Sequence, residues 1–216
     1  MKKRLVSILM VMMLLCATFA TSASDVQAVS KGKKAKAAYA EVLSDKSVAE
    51  GIISASWGLG ADTKFALIDI NQDGIPELLF TPDDGYHLDI VSFVNGKAKC
   101  VGSGFSGDEK YYPGKHIYYS RTTHEGNDSY TYCNFTGRKM KVIAEKYGNI
   151  FYNVVTGKMK PASQQGKSFA PYVYRVNGKK VSAKKYKTYV NKLLSGVKSV
   201  KPKWHKNTAA NRKKYL

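Results

Sequence analysis

The chain has 216 residues, with 35 Lys and Arg against 16 Asp and Glu, a formal charge of +19. Once an N-terminal leader is removed, the roughly 188 residues left suit one domain. Its three cysteines form no Cys-x-x-Cys pair, which excludes a zinc site, and beyond the leader no apolar run reaches the roughly 18 residues that cross a bilayer.

Lys2, Lys3 and Arg4 precede the apolar run Leu5–Ala20, and A-x-A-like endings follow at Thr21-Ser22-Ala23 and Val26-Gln27-Ala28. This order is that of a secretory signal peptide over residues 1–28. Cleavage is expected after Ala28, with Ala23 as the alternative. The mature protein is then secreted, and charge is available to hold it on a cell wall. Cys16 follows Leu15 rather than the small residue a lipobox requires.

A helix is expected over Lys33–Leu43, where Ala35, Ala38, Tyr39, Val42 and Leu43 fall on one face. A short second helix follows at Val48–Ala55, capped by Asp45 or Ser47. Strands at Lys64–Asp69 and Glu77–Thr81 flank an acidic loop. There Asp69, Asn71 and Asp73 alternate, Gly74 follows at once, and Glu77 comes four residues after Asp73.

These are oxygen donors for a hard cation. Calcium takes about six to eight oxygens at roughly 2.3–2.6 Å. The alternating side chains turn to a common centre, Gly74 makes the sharp turn, Ile75 offers a backbone carbonyl and Glu77 a further carboxylate. An EF-hand would end in a helix, whereas both flanks here read as strands. The loop resembles the D-x-[DN]-x-D-G-x-x-[DE] calcium loop of FG-GAP repeats, the integrin-type propeller blades. It is also similar to the DIDGDGxPEL segment of secreted proteins of Gram-positive gut bacteria, a likeness that extends to the pattern over Tyr174–Leu194. The motif occurs once, whereas a propeller repeats it. The expected cofactor is Ca2+, held by Asp69, Asn71, Asp73, Ile75 and Glu77.

Strands are next expected at Tyr86–Val94 and Lys97–Val101 around Asn95-Gly96, a two-residue turn whose positions both favour positive φ. Gly102–Gly107 fits G-x-G-x-x-G, but Asp108–Pro113 follows instead of a helix, so a flexible loop is expected. Further strands are read at His116–Ser120, Ser129–Phe135, Lys139–Glu145 and Ile150–Val155. Pro171–Val176 and Lys179–Val181 form a hairpin around Asn177-Gly178. Ser182 caps a helix that Gly196 ends. The fold class is α+β: an antiparallel β-meander with an N-terminal helical segment and a C-terminal helix, over residues 29–196. Residues 197–216 are expected to be a loosely held basic tail.

All acidic residues lie at or before Glu145, while Lys146–Leu216 carries eighteen Lys and Arg. This asymmetry points to an anionic partner. Lys184, Lys185, Lys187 and Lys192 are expected on the exposed face of the last helix. Fifteen tyrosines add aromatic platforms, because residues two apart in a strand share a face. Tyr130 with Tyr132 and Tyr172 with Tyr174 are the candidates.

The function expected is a secreted, non-catalytic binding or adhesion protein for an acidic polymer, with nucleic acid bound only non-specifically. The resemblance to gut-type secreted proteins brings host glycoproteins, mucin and immunoglobulin among them, into that class. The alternative is a small extracellular hydrolase acting on wall or glycan, for which Cys100 or Cys133 with His116 or His124 would be the pair. The sequence leaves open whether the two cysteines are bonded or free.

Overall fold

Strands that are apolar on both faces need cover on both sides, and this chain supplies it with two facing antiparallel sheets and a helical layer. The computed structural model describes residues 30–54, 56, 59–60, 62–82, 87–105, 108–124, 126–137, 139–166 and 169–216. The expected leader, Ala55 at the end of the expected second helix, Tyr86 and Ser106-Gly107 lie outside them.

Helices α1 (residues 30–44) and α2 (Lys46–Glu50) come first. Strands β1 (Lys64–Ile68), β2 (Glu77–Thr81), β3 (His87–Val94) and β4 (Lys97–Phe105) follow. Next are β5 (Lys110–Tyr112), β6 (Ile117–His124), β7 (Asn127–Phe135), β8 (Met140–Asn149), β9 (Val173–Val176) and β10 (Lys179–Lys180). The chain closes with α3 (Ala183–Leu193), β11 (His205–Lys206) and α4 (Ala209–Tyr215). The first sheet has the order β11-β1-β2-β3-β4 and the second β10-β9-β8-β7-β6-β5. The fold is α+β, an antiparallel meander with helices at both ends.

Strand β2 is buried at every position because both of its faces are covered. Leu78 and Phe80 meet Ala35, Tyr39, Val42 and Leu43 of α1. Leu79, one residue out of phase, faces Tyr118, Cys133 and Phe135 of the second sheet. Asp45 caps α2, accepting from the Ser47 and Val48 amides. Both Asn-Gly turns adopt the positive φ they were chosen for, with Asn95 at 53° and Gly96 at 80°, Asn177 at 50° and Gly178 at 77°.

Four expectations need correction. Strand β4 continues to Phe105, so Gly102–Gly104 is strand rather than loop. Lys110–Tyr112 forms β5, because Tyr111 is fully buried between the sheets. Ile150–Val155 is no strand: Asn149 Oδ1 accepts from the Phe151 and Tyr152 amides and Asn153 Oδ1 from those of Val155 and Thr156, which bends the chain into turns.

The fourth correction concerns the basic tail, which is part of the fold. Strand β11 pairs with β1, Asn207 Nδ2 donates to the Leu43 carbonyl at 2.8 Å, and Tyr215 and Leu216 pack on the helical core. The two cysteines are free thiols. Cys133 sits between the sheets, whereas Cys100 Sγ contacts Asp89, which Ser54 beyond α2 also engages.

Candidate functional site

The outer face of the second sheet, turned away from the first, carries Tyr119, Tyr130, Tyr132, Tyr172 and Tyr174, whereas Tyr111 and Tyr118 point inward. Its register sets Tyr119 opposite Tyr132, Arg121 opposite Tyr130, Tyr130 opposite Lys146, and Lys146 opposite Tyr174. Residues opposite one another in an antiparallel pair share a face. Lys146 Nζ lies 3.8 Å from the ring centre of Tyr172 and 4.2 Å from that of Tyr130. Arg121 stands over Tyr130 at 5.1 Å, and Lys110 over Tyr119 at 5.3 Å.

The rings continue as a chain. Centroids are 6.5 Å apart for Tyr130 and Tyr172, 6.3 Å for Tyr172 and Tyr174, and 5.3 Å for Tyr174 and Tyr186 of α3. Tyr119 and Tyr132 stand at 4.9 Å. All four candidate tyrosines are thus on one face, and all are half-buried. Asp128, 1 % exposed, anchors the upper end: it accepts from the Tyr172 hydroxyl at 2.9 Å and from Arg121 Nε at 3.1 Å. Desolvation lowers the pKa of Lys146, although the Asp128 charge opposes this. Burial pushes the Tyr132 hydroxyl up to about 12, so it stays a neutral donor.

Helix α3 begins at Ser182, whose hydroxyl accepts from the Lys185 amide. Tyr186 is its buried residue, while Lys184, Lys185, Lys187 and Lys192 are exposed around it. The sequence reading missed Tyr119, Arg121, Lys146 and the part played by Tyr186. The i, i+2 spacing of Tyr119 with Arg121 was the available signal.

The metal loop joins β1 to β2. Asp69 accepts from the Asp73 amide at 3.1 Å and the Gly74 amide at 2.9 Å, which wraps the turn round its carboxylate. Asp73 accepts from the Ile75 amide and from Asn71 Nδ2, each at 2.9 Å. Glu77 is 1 % exposed and accepts from the Ile70 amide at 2.9 Å and the Ser92 hydroxyl at 3.3 Å. Burial pushes its carboxyl up to about 8; the charges of Asp73 and Asp69 add to this, and the Ile70 hydrogen bond opposes it. Gly137 in the β7–β8 turn approaches so closely that a Cβ there would strike Asn71 Nδ2. A cleft of about 420 Å3 opens beside Asp73 and Glu77, with Lys31 and Lys34 on its rim.

Among the described residues, no three His, Cys, Asp or Glu side chains are gathered tightly enough to hold an ion. The chemistry of the set nevertheless fits calcium. Every donor is oxygen, and Asn71 Oδ1 is buried with no hydrogen-bond partner. Asp69, Asn71, Asp73 and Glu77, with the Ile75 carbonyl, are the groups that would hold the ion.

No protein-family model, curated protein or solved structure matches this chain. Neither thiol has the character of an activated nucleophile: burial pushes Cys133 up to about 11 and raises Cys100, which favours the protonated form.

Proposed function

We propose that this is a secreted, calcium-stabilised binding protein, non-catalytic, that recognises an anionic ligand on the outer face of its second sheet. The observation that carries the reading is Lys146 seated between the Tyr130 and Tyr172 rings, with Arg121 beside them. Tyrosine rings give wide, stiff contact area with a polar edge. Cations fixed over those rings supply the charge that a carboxylate, sulfate or phosphate on the ligand requires. The four exposed lysines of α3 extend the positive field beyond the contact. Acidic envelope polymers and host glycoproteins, mucin and immunoglobulin among them, have this chemistry.

Calcium in the β1–β2 loop would tie that loop to its neighbours, since Gly137 of the β7–β8 turn touches Asn71. Strands β7 and β8 carry Tyr130, Tyr132 and Lys146. An ion that binds only the folded state adds about 2.7 kcal/mol when present at 100 times its Kd.

The test is capture of sialylated mucin by the mature protein, with melting curves in calcium and in chelator. The reading expects salt-sensitive capture, a lower melting temperature in chelator, and no chelator effect in Asp73→Ala. Absent capture of any acidic polymer overturns the ligand, and identical melting curves overturn the metal.

A further inference from the structure

The space between the sheets is not filled at one end. Leu88 and Ile90 of β3 point from the first sheet toward the second. Their partners across the β3–β4 ladder are Gly104 and Gly102, which have no side chains to set beside them. A cavity of about 420 Å3 results, within the roughly 300–1,000 Å3 of small-molecule sites. It opens beside Val142, whose side chain is left 45 % exposed. A Cβ at Gly102 would collide with Met140 Cε, so that end is closed. A Cβ at Gly104 would meet nothing within 4 Å, so this end is open space.

The two walls differ in chemistry. Leu88, Ile90 and Val101 make the first sheet's side apolar. Opposite them stand four hydroxyls, paired by register as Ser120 with Thr131 and Thr122 with Ser129. Four hydroxyl side chains on the inward face of a packed sheet are unusual, because apolar residues ordinarily fill that layer. No hydrogen bond among the described residues engages the side chains of Thr122, Ser129 or Thr131. Among the described residues none of the lining groups is charged: Tyr118 and Cys133 titrate, but burial raises both and keeps them neutral.

We propose that this cavity is a binding site for a neutral amphipathic small molecule, its apolar side on Leu88, Ile90 and Val101 and its hydroxyl or carbonyl groups on the Ser–Thr wall. A charged ligand is disfavoured, since no counter-charge among the described residues lines the space and burying an unpaired ion is costly. The site is separate from the tyrosine face and does not depend on the function assigned to it.

The test uses N-phenylnaphthylamine, a neutral fluorophore, with the full mature protein. Saturable binding at one site per chain is expected. Gly104→Leu fills the space without a backbone conflict and is expected to weaken binding at least about tenfold with the fold intact. If that variant does not fold, Thr122→Phe at the half-buried wall serves the same purpose. Decanol is expected to displace the probe, and to do so less well from the Thr122→Val/Thr131→Val double variant. Absent saturable binding, or unchanged binding in the filled variants, overturns the site. Equal displacement by decanol from the double variant overturns the hydroxyl wall.

Discussion

The Tyr172 hydroxyl donates a 2.9 Å hydrogen bond to Asp128 Oδ2 while the same tyrosine's ring receives Lys146 at 3.8 Å. One side chain therefore links a buried anion to a half-exposed cation, and its ring orientation is set from both ends. Tyr172→Phe keeps the ring and removes the bond. Because Asp128 is buried and its Arg121 partner is partly exposed, stability is expected to fall by about 1 kcal/mol. That corresponds to roughly 2–4 °C in melting temperature for a domain of this size. An unchanged melting temperature would mean that water serves Asp128 equally well.

Gly148 makes the position of Tyr172 sterically permissible. A Cβ at Gly148 would lie 2.9 Å from the Tyr172 ring and would strike the Phe169 carbonyl. The ring and a stretch of backbone must both move to admit it. Gly148→Ala is expected to cost about 1–3 kcal/mol and to weaken ligand capture, because the Lys146 seat opens. Denaturant midpoints and mucin capture, measured on the same preparation, check both effects. Full capture by Gly148→Ala would show that the seat is not part of the contact.

The carboxy-terminal segment is expected to be required for stability. Asn207 is buried; its amide donates to the Thr63 carbonyl, its side chain donates to the Leu43 carbonyl, and Arg212 donates to its side-chain oxygen at 2.8 Å. Asn207→Ala leaves buried groups without partners, at about 1–3 kcal/mol. Removal of residues 205–216 also exposes the edge of β1. Urea midpoints for both variants should fall, the deletion more than the substitution; a deletion as stable as the parent would contradict the packing.

Acid is expected to loosen this same segment. His205 stacks on Tyr215 at 3.7 Å and tilts against Phe65. Desolvation, then the charges of Lys203 and Lys214, hold its imidazole below the ordinary value. The folded state therefore binds this proton less readily than the unfolded chain. The contribution is fully present above the unfolded pKa of about 6.5 and is lost as pH falls through the lower folded value. His205→Phe should flatten the pH dependence of stability in that window. A parent and variant with parallel profiles would remove His205 from the account.

Much of this was legible in the chain, for local reasons. The Asn-Gly turns, the Asp45 and Ser182 caps and the two-residue spacing of Tyr130/Tyr132 and Tyr172/Tyr174 are set by neighbours in sequence. What was not legible depends on register. Lys146 meets Tyr130 and Tyr172 only because β7, β8 and β9 align as they do, and nothing within a single strand specifies that alignment. Gly102 and Gly104 read as a loop because Asp108–Pro113 follows their glycine pattern instead of a helix; pairing with Ile90 and Leu88 makes them strand. The Lys-rich carboxy-terminal segment concealed Asn207, whose partner Leu43 is 164 residues away.

The central claim, recognition of an anion by the tyrosine–cation face, is tested most directly by one comparison. Affinity for sialylated mucin is measured for the parent, for Tyr130→Ala/Lys146→Gln and for Lys184→Gln/Lys185→Gln/Lys187→Gln, each at physiological and at high salt. Exposed lysines act over a Debye length of about 8 Å at physiological salt and are screened beyond it. The account predicts that the helix variant loses affinity at physiological salt and converges with the parent at high salt. The face variant is predicted to be at least about tenfold weaker, a loss of about 1.4 kcal/mol, at both salts. A face variant that binds mucin as tightly as the parent at high salt would contradict the account.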